Sequence, residues 1–99
     1  MDKKSLQKFF IRKLRNFAPP KWGASHTEER NLFKGLPKHL IGRKETKDAL
    51  EELYKIGFIN RYKKTHETHV SLNIDMSEIY HQSMIDGRGL MRLAIMVYF

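Results

Sequence analysis

The sequence contains no cysteine and no long uncharged apolar run, and each absence removes whole classes of protein. Without cysteine there is no disulfide framework, no thiol nucleophile and no cysteine zinc site. This composition fits a reducing cytoplasm, which is where we expect the protein to act. Residues 90–99 are the most apolar stretch, but Arg92 interrupts them and they are shorter than the ~20 residues of a membrane-spanning helix. No signal peptide is recognisable at the N-terminus.

The chain is strongly basic, and its charge is unevenly distributed. The formal net charge is +8 at pH 7, of which residues 1–22 contribute +6, residues 23–64 contribute +4 and residues 65–99 contribute −2. Such a distribution suggests a polyanionic partner, either nucleic acid or an anionic membrane surface. Charge alone does not separate this interpretation from a protein that is merely basic. A length of 99 residues with 40% apolar content predicts one domain with a modest core.

Apolar side chains at helical spacing predict a first helix over residues 3–17. The residues on its apolar face are Leu6, Phe9, Phe10, Leu14 and Phe17. Lysines and arginines occupy much of the remaining surface, and Asp2 or Ser5 is suited to cap the helix start. A basic amphipathic helix can lie on a membrane, but the aromatic stripe favours a core helix with one solvated face.

Three more helical segments are predicted before residue 57. Ser25 and Glu28 match the capping-box spacing, which predicts a short helix through Phe33. Residues 36–41 predict a second short helix with a proline in its first turn. Residues 44–56 predict a longer third helix. The inward-facing residues of that helix are Ala49, Leu50, Leu53 and Ile56.

A hairpin is predicted after the third helix. Gly57 stops the helix, and residues 58–62 and 69–73 alternate with the period of two that is typical of strands. The polar residues 63–68 connect the strands. Beyond them, Asp75 is suited to cap a last helix. Helix, glycine, strand, basic loop and strand is the order of the second half of a winged helix-turn-helix.

Three motifs carry a resemblance to a known family. They are Leu36-Pro37-Lys38-His39-Leu40 before the Gly42 turn, Leu50-x-x-Leu53-x-x-x-Gly57-Phe58-Ile59, and Val70-Ser71-Leu72-Asn73. Over residues 25–80 the chain resembles the winged-helix domains of small archaeal proteins and archaeal mobile elements. The resemblance implies an α+β winged helix-turn-helix fold, in which a three-helix core carries a β-hairpin wing. Residues 1–99 would form one such domain, with extra elements at residues 1–22 and 86–99.

The same resemblance implies a protein that binds double-stranded DNA and regulates transcription. The third helix would enter the major groove and read bases, and the hairpin would lie on the backbone. The implied DNA-binding residues are Lys38, Arg43, Lys44, Thr46, Lys47, Arg61, Lys63 and Lys64. Arg43 or Lys44 is suited to a guanine edge, and Thr46 to a phosphate or a helix cap. Basic residues of the first helix can extend the phosphate contacts.

Acidic residues on the third helix weigh against DNA binding. Phosphates would repel four carboxylates unless cations pair with them: Glu45, Asp48, Glu51 and Glu52. One alternative is therefore a winged helix that docks a protein partner through this acidic face and the apolar tail. Another alternative is RNA, with bases stacked on Trp22 or Tyr62, although both aromatics fit a core position better.

The histidines do not form a known catalytic or metal-binding motif. His66 and His69 flank a predicted loop rather than one face of a helix, so they lack the zinc-protease spacing. We expect them to face solvent or a phosphate. His39 and His81 have no recognisable partner, and no activated nucleophile or carboxylate pair stands out. We therefore expect no enzymatic activity, no metal and no cofactor.

The apolar residues 90–99 are unusual at a soluble terminus and indicate a contact with another surface. That surface is either a second copy of the chain or the chain's own first helix, and the sequence does not distinguish them. Dimerisation would suit a winged helix that binds two half-sites. The residues expected at a homodimer contact are Leu90, Leu93, Val97 and Phe99.

Overall fold

A computed structural model describes residues 1–76, in which two α-helices pack against a three-stranded antiparallel sheet. The α-helices are α1 (Lys3–Arg15) and α2 (Lys44–Lys55). The strands are β1 (Thr27–Glu28), β2 (Ile59–Lys63) and β3 (Thr68–Leu72), and β3 lies between the other two. Short 3₁₀ segments occupy Glu29–Phe33, Lys38–Leu40 and Ile74–Met76. Several predictions lie outside the described residues: the last helix, His81, the tail at 86–99, and Leu90, Leu93, Val97 and Phe99 as dimer contacts.

Helix α1 begins at the predicted cap and ends two residues before the predicted end. The Asp2 carboxylate accepts a hydrogen bond from the Ser5 backbone N–H at 2.8 Å, and this bond holds the Asp2 pKa below its usual value. The helix stops at Arg15, ahead of the proline pair. Its buried residues are Leu6, Gln7, Phe10, Ile11 and Leu14, whereas Phe9 and Phe17 are only half-buried.

The two short helices predicted between α1 and α2 are 3₁₀ segments of one or two turns, so the predicted three-helix core is corrected to two α-helices in this part of the chain. The capping-box prediction is wrong, because Thr27 and Glu28 form β1 and pair with Val70 and His69 of β3. Pairing with a distant strand satisfies backbone groups that a local helix would otherwise use. No side chain caps the 3₁₀ segment that follows.

Helix α2 and the hairpin lie within one residue of their predicted bounds. Gly57 adopts φ +83°, a left-handed conformation that ends α2 and turns the chain into β2. The Gly57 N–H donates to the Tyr54 carbonyl at 3.2 Å, and the Phe58 N–H donates to the Leu53 carbonyl at 3.0 Å. These two bonds form a Schellman motif, which is why the glycine was a dependable stop signal.

The core lies between the two helices and one face of the sheet. Its buried side chains are Leu6, Phe10, Ile11, Leu14, Leu32, Leu36, Ala49, Leu50, Leu53, Phe58, Ile59, Val70 and Leu72. Trp22 packs against this core as a half-buried residue. Tyr62 does not, because it lies on the opposite face of β2 and is 38% exposed, so its predicted core position is wrong.

Candidate nucleic-acid interface

The first turn of α2 presents basic side chains to solvent. Arg43, Lys44 and Lys47 are all exposed there, and Lys38 is exposed in the preceding 3₁₀ turn. The Nε atom of Arg43 lies 3.4 Å from the Glu45 carboxylate, so this arginine is ion-paired. Lys44 and Lys47 form no ion pair within residues 1–76. The described surface therefore offers two unpaired cations at the start of α2.

Thr46 does not belong to this surface, which corrects its prediction as a DNA-binding residue. Its side chain is fully buried, and its hydroxyl donates to the Leu40 carbonyl at 2.7 Å. A hydroxyl that is buried and already engaged cannot reach a phosphate. Thr46 instead ties α2 to the Lys38–Leu40 turn, which fixes where that turn lies against the helix.

The loop of the β2–β3 hairpin carries the second basic group. The Lys64 N–H donates to the Glu67 carbonyl at 2.7 Å and closes the loop. Lys63 and Lys64 are exposed, and neither forms an ion pair with another described residue. Both lysines lie at the loop end of the hairpin, opposite the end at which β2 joins α2.

Arg61 is directed from β2 toward α2. Its Nη1 atom lies 2.9 Å from Oε1 of Glu51, and its guanidinium carbon lies 4.4 Å from the centroid of the Tyr54 ring. The ion pair and the cation–π contact together hold the hairpin against the helix. For Arg61 to contact a phosphate as predicted, it would have to leave Glu51.

The acidic residues of α2 are largely paired with cations, which removes part of the objection to an anionic partner. Glu45 pairs with Arg43, and Glu51 pairs with Arg61. Glu52 pairs with Lys3 of α1. Phosphates approaching this helix would therefore encounter three partly neutralised carboxylates, and only Asp48 without an ion pair within residues 1–76.

Tyr54 joins α2 to the 3₁₀ segment after β1. Its phenol donates a hydrogen bond of 2.5 Å to the Glu29 carboxylate. Burial raises the Tyr54 pKa well above its ordinary value, and the hydrogen bond to Glu29 raises it further. The phenol therefore stays protonated at any physiological pH and acts as a fixed donor.

A chain of polar contacts that the sequence did not predict crosses the sheet close to the basic loop. The Nδ1 atoms of His26 and His69 are 2.7 Å apart, and the Nε2 atom of His69 lies 2.8 Å from the Glu67 carboxylate. The expectation that His69 faces solvent or a phosphate is therefore wrong, whereas His66 is exposed. Only the β1–β3 pairing brings His26 to this position, and no local sequence signal predicted that pairing.

No match to this chain was found among family models, curated proteins or solved structures. Within residues 1–76, no group of three His, Asp or Glu side chains is arranged to hold a metal ion. No helix in that same part of the chain is long and apolar enough to cross a membrane. The charge and geometry of the described surface are therefore the features that bear on function.

Proposed function

We propose that this chain is a winged-helix protein that binds double-stranded DNA and regulates transcription. The strand order β1-β3-β2 and the hairpin directly after α2 support this proposal, because both are features of a winged helix. In such a domain α2 would act as the recognition helix, and residues 63–68 would form the wing. Dimerisation through residues 90–99 belongs to the same proposal, since paired half-sites require two recognition helices.

One observation carries the proposal: unpaired lysines extend from both elements that such a domain uses to contact DNA. Lys44 and Lys47 lie on the first turn of α2, and Lys63 and Lys64 lie at the hairpin loop. The Gly57 turn and the burial of Phe58 and Ile59 fix the hairpin relative to α2. The helix and the loop therefore present cations from a pre-organised scaffold, which reduces the entropy lost on binding.

The four lysines are expected to contribute differently. Contacts from Lys63 and Lys64 to phosphates would raise affinity on every sequence, whereas contacts from the first turn of α2 would also distinguish bases. Each phosphate contact releases counterions and adds about −0.9 to the slope of log K against log salt. Four such contacts would produce a slope between about −3 and −4.

The test is a fluorescence-anisotropy titration of the full chain with random duplex and with single-stranded DNA, at about 50 and 200 mM salt. We expect salt-sensitive binding that favours the duplex. Lys47→Glu should abolish it, and Lys63→Ala or Lys64→Ala should weaken it equally on all sequences. Lys55→Glu, an exposed residue in the last turn of α2, is the matched control and should change affinity little.

Two results would contradict the proposal. Duplex binding no tighter than heparin binding would indicate a general polyanion affinity and favour a protein partner. A preference for RNA hairpins, lost on Tyr62→Ala, would favour RNA instead. Sedimentation of the full chain and of a chain ending at residue 85 tests the dimer, which should be lost on truncation.

A further inference from the structure

The side of α1 that faces away from α2 is basic. The α2-facing side is marked by Gln7, whose Nε2 atom lies 3.2 Å from the Ala49 carbonyl, and by Lys3, which pairs with Glu52. Successive residues of a helix are separated by about 100° around its axis. By this geometry Lys8 and Arg12 lie about 100° and 140° from Gln7, so they face away from α2.

Two open cavities line this outer side and share Lys13 and Asn16. The larger, of about 520 Å³, follows α1 and is lined by Met1, Ser5, Lys8, Phe9, Arg12, Lys13 and Asn16. The smaller, of about 330 Å³, lies between α1 and the first 3₁₀ segment and is lined by Lys13, Asn16, Phe17, Asn31 and Lys34. Because Lys13 and Asn16 line both, the two cavities are neighbours along α1, and we call them together the α1 groove.

The charge of the α1 groove is entirely positive. Four cations line it: Lys8, Arg12, Lys13 and Lys34. No carboxylate is among its lining residues, and none of the four cations forms an ion pair within residues 1–76. The surface of α2, in contrast, has Arg43 and Arg61 engaged by glutamates. The α1 groove therefore offers an anion four cations that no carboxylate within residues 1–76 engages.

The cations are spread along the groove rather than converging on one point, which favours an extended polyanion over a small anion. From Ser5 to Asn16 the helix rises roughly 16 Å, the length of about five base pairs of a duplex. Lys13 lies against the turn at Gly35, where an added Cβ would stand 3.8 Å from the lysine Nζ. Lys13 lines both cavities, so its charge is available to an anion in either one. The Asn16 amide supplies a neutral donor suited to a phosphate oxygen.

We propose that the α1 groove binds the phosphate backbone of a second DNA duplex, so that one chain can bridge two duplexes. This inference rests on the proposed function, since it takes α2 and the hairpin as the site of the first duplex. The groove lies on the side of α1 that faces away from α2. A straight duplex bound on α2 therefore does not reach the groove. Contacts in the groove are to phosphates only, so the second duplex is bound without regard to sequence.

The test is a capture experiment with the full chain, in which one duplex is immobilised and a second, fluorescent duplex is in solution. The groove variant is Lys8→Glu with Arg12→Glu. We expect it to bind the immobilised duplex within about twofold of a control with the same net charge, and to lose the second duplex by tenfold or more. Lys4→Glu with Lys55→Glu is the charge-matched control, because neither lysine lines the groove. It should retain both activities.

Two further experiments separate charge removal from charge reversal and identify the oligomeric state. Lys8→Gln with Arg12→Gln removes the positive charges without adding negative ones and should show an intermediate loss of capture. Capture that persists in both groove variants would overturn the proposal, because bridging would then come from a dimer that presents two α2 surfaces. Sedimentation at the same protein concentration identifies such a dimer.

The binding results of the α2 variant and of the groove variants distinguish failure of the groove proposal from failure of the proposed function. If Lys47→Glu leaves single-duplex binding unchanged while the groove variants abolish it, the groove is the site of the first duplex, and both the α2 interface and the bridging proposal are overturned. If wild type binds no duplex, both fail. Vesicles containing anionic phosphatidylserine test the other polyanionic surface. Loss of vesicle binding in the groove variants, with capture intact, would make the groove a membrane contact and overturn the proposal.

Discussion

The Nδ1 atoms of His26 and His69 lie 2.7 Å apart although 43 residues separate them in the chain. A hydrogen bond to His69 lowers the pKa of Glu67, so Glu67 is a carboxylate that accepts from Nε2 of His69. A neutral His69 that carries its proton on Nε2 accepts at Nδ1, and His26 must then donate from its own Nδ1. The contacts therefore fix the tautomers of both neutral rings.

The stability of the protein should fall as the pH drops through the range in which histidine titrates. Burial lowers the pKa of His26, and a positive charge on His69, together with those of Lys64 and Lys21, lowers it further. The unfolded chain therefore binds this proton at higher pH than the folded chain does, so acidification below about pH 6.5 favours unfolding.

Urea unfolding at several pH values between about 7.5 and 5.5 tests this dependence. His26→Gln should flatten the decline, whereas His66→Gln, the same change at an exposed position, should leave it intact. An equal slope in wild type and His26→Gln would show that His26 is not the group responsible. The lowered pKa of Glu67 acts below its ordinary value of 4.5 and so does not contribute in this range.

Two tyrosines should respond differently to loss of their hydroxyl groups. Tyr54→Phe removes the 2.5 Å hydrogen bond to the Glu29 carboxylate, and such bonds to charged groups contribute about 1.5–3 kcal/mol. Tyr62→Phe removes only long contacts of 3.4 and 3.5 Å at an exposed site and should cost under ~0.5 kcal/mol. Denaturant unfolding measures both variants. Equal losses in the free energy of unfolding would mean that the hydrogen bond from Tyr54 to Glu29 contributes no stability.

Thr46→Val should destabilise the fold without changing the affinity of the folded protein for DNA. It leaves the Leu40 carbonyl without the 2.7 Å hydrogen bond, at a cost of about 1–3 kcal/mol. Thr65→Val, at an exposed position in the hairpin loop, is the control and should stay within ~0.5 kcal/mol. Weaker DNA binding by fully folded Thr46→Val would restore Thr46 to the interface.

Local signals predicted the elements that depend on nearby residues. The Asp2 cap, the Gly57 stop and the alternation of residues in the hairpin are each decided within a few residues, and the structure contains all three. Strand β1 was missed because its two residues are defined only by pairing with β3, about forty positions away. The capping-box spacing of Ser25 and Glu28 is visible in the sequence, whereas the pairing with β3 is not, so the sequence favoured a helix at this position.

The surface was predicted less completely than the fold. The exposure of Lys44, Lys47, Lys63 and Lys64 follows from the cost of burying a charged ammonium group, and all four are exposed. The burial of Thr46 was not predicted, because a threonine at the start of a helix is equally suited to a cap or a buried hydrogen bond. Which arginines pair with which glutamates depends on how β2 lies against α2, and helical spacing alone does not reveal it.

Glu51→Gln should increase affinity for duplex DNA if α2 and the hairpin form the interface. The change removes a carboxylate from α2 and releases Arg61, which is now held at 2.9 Å. An exposed ion pair is worth up to about 1 kcal/mol, so we expect a gain of roughly twofold to fivefold. The gain should be larger at low salt, because screening weakens the effect of the added charge.

Asp75→Asn is the control, since Asp75 follows β3 at the end opposite the hairpin loop and should leave affinity unchanged. Anisotropy titrations at two salt concentrations compare the variants. An unchanged or lower affinity for Glu51→Gln would mean that Arg61 stabilises the hairpin more than it would contribute to DNA contact.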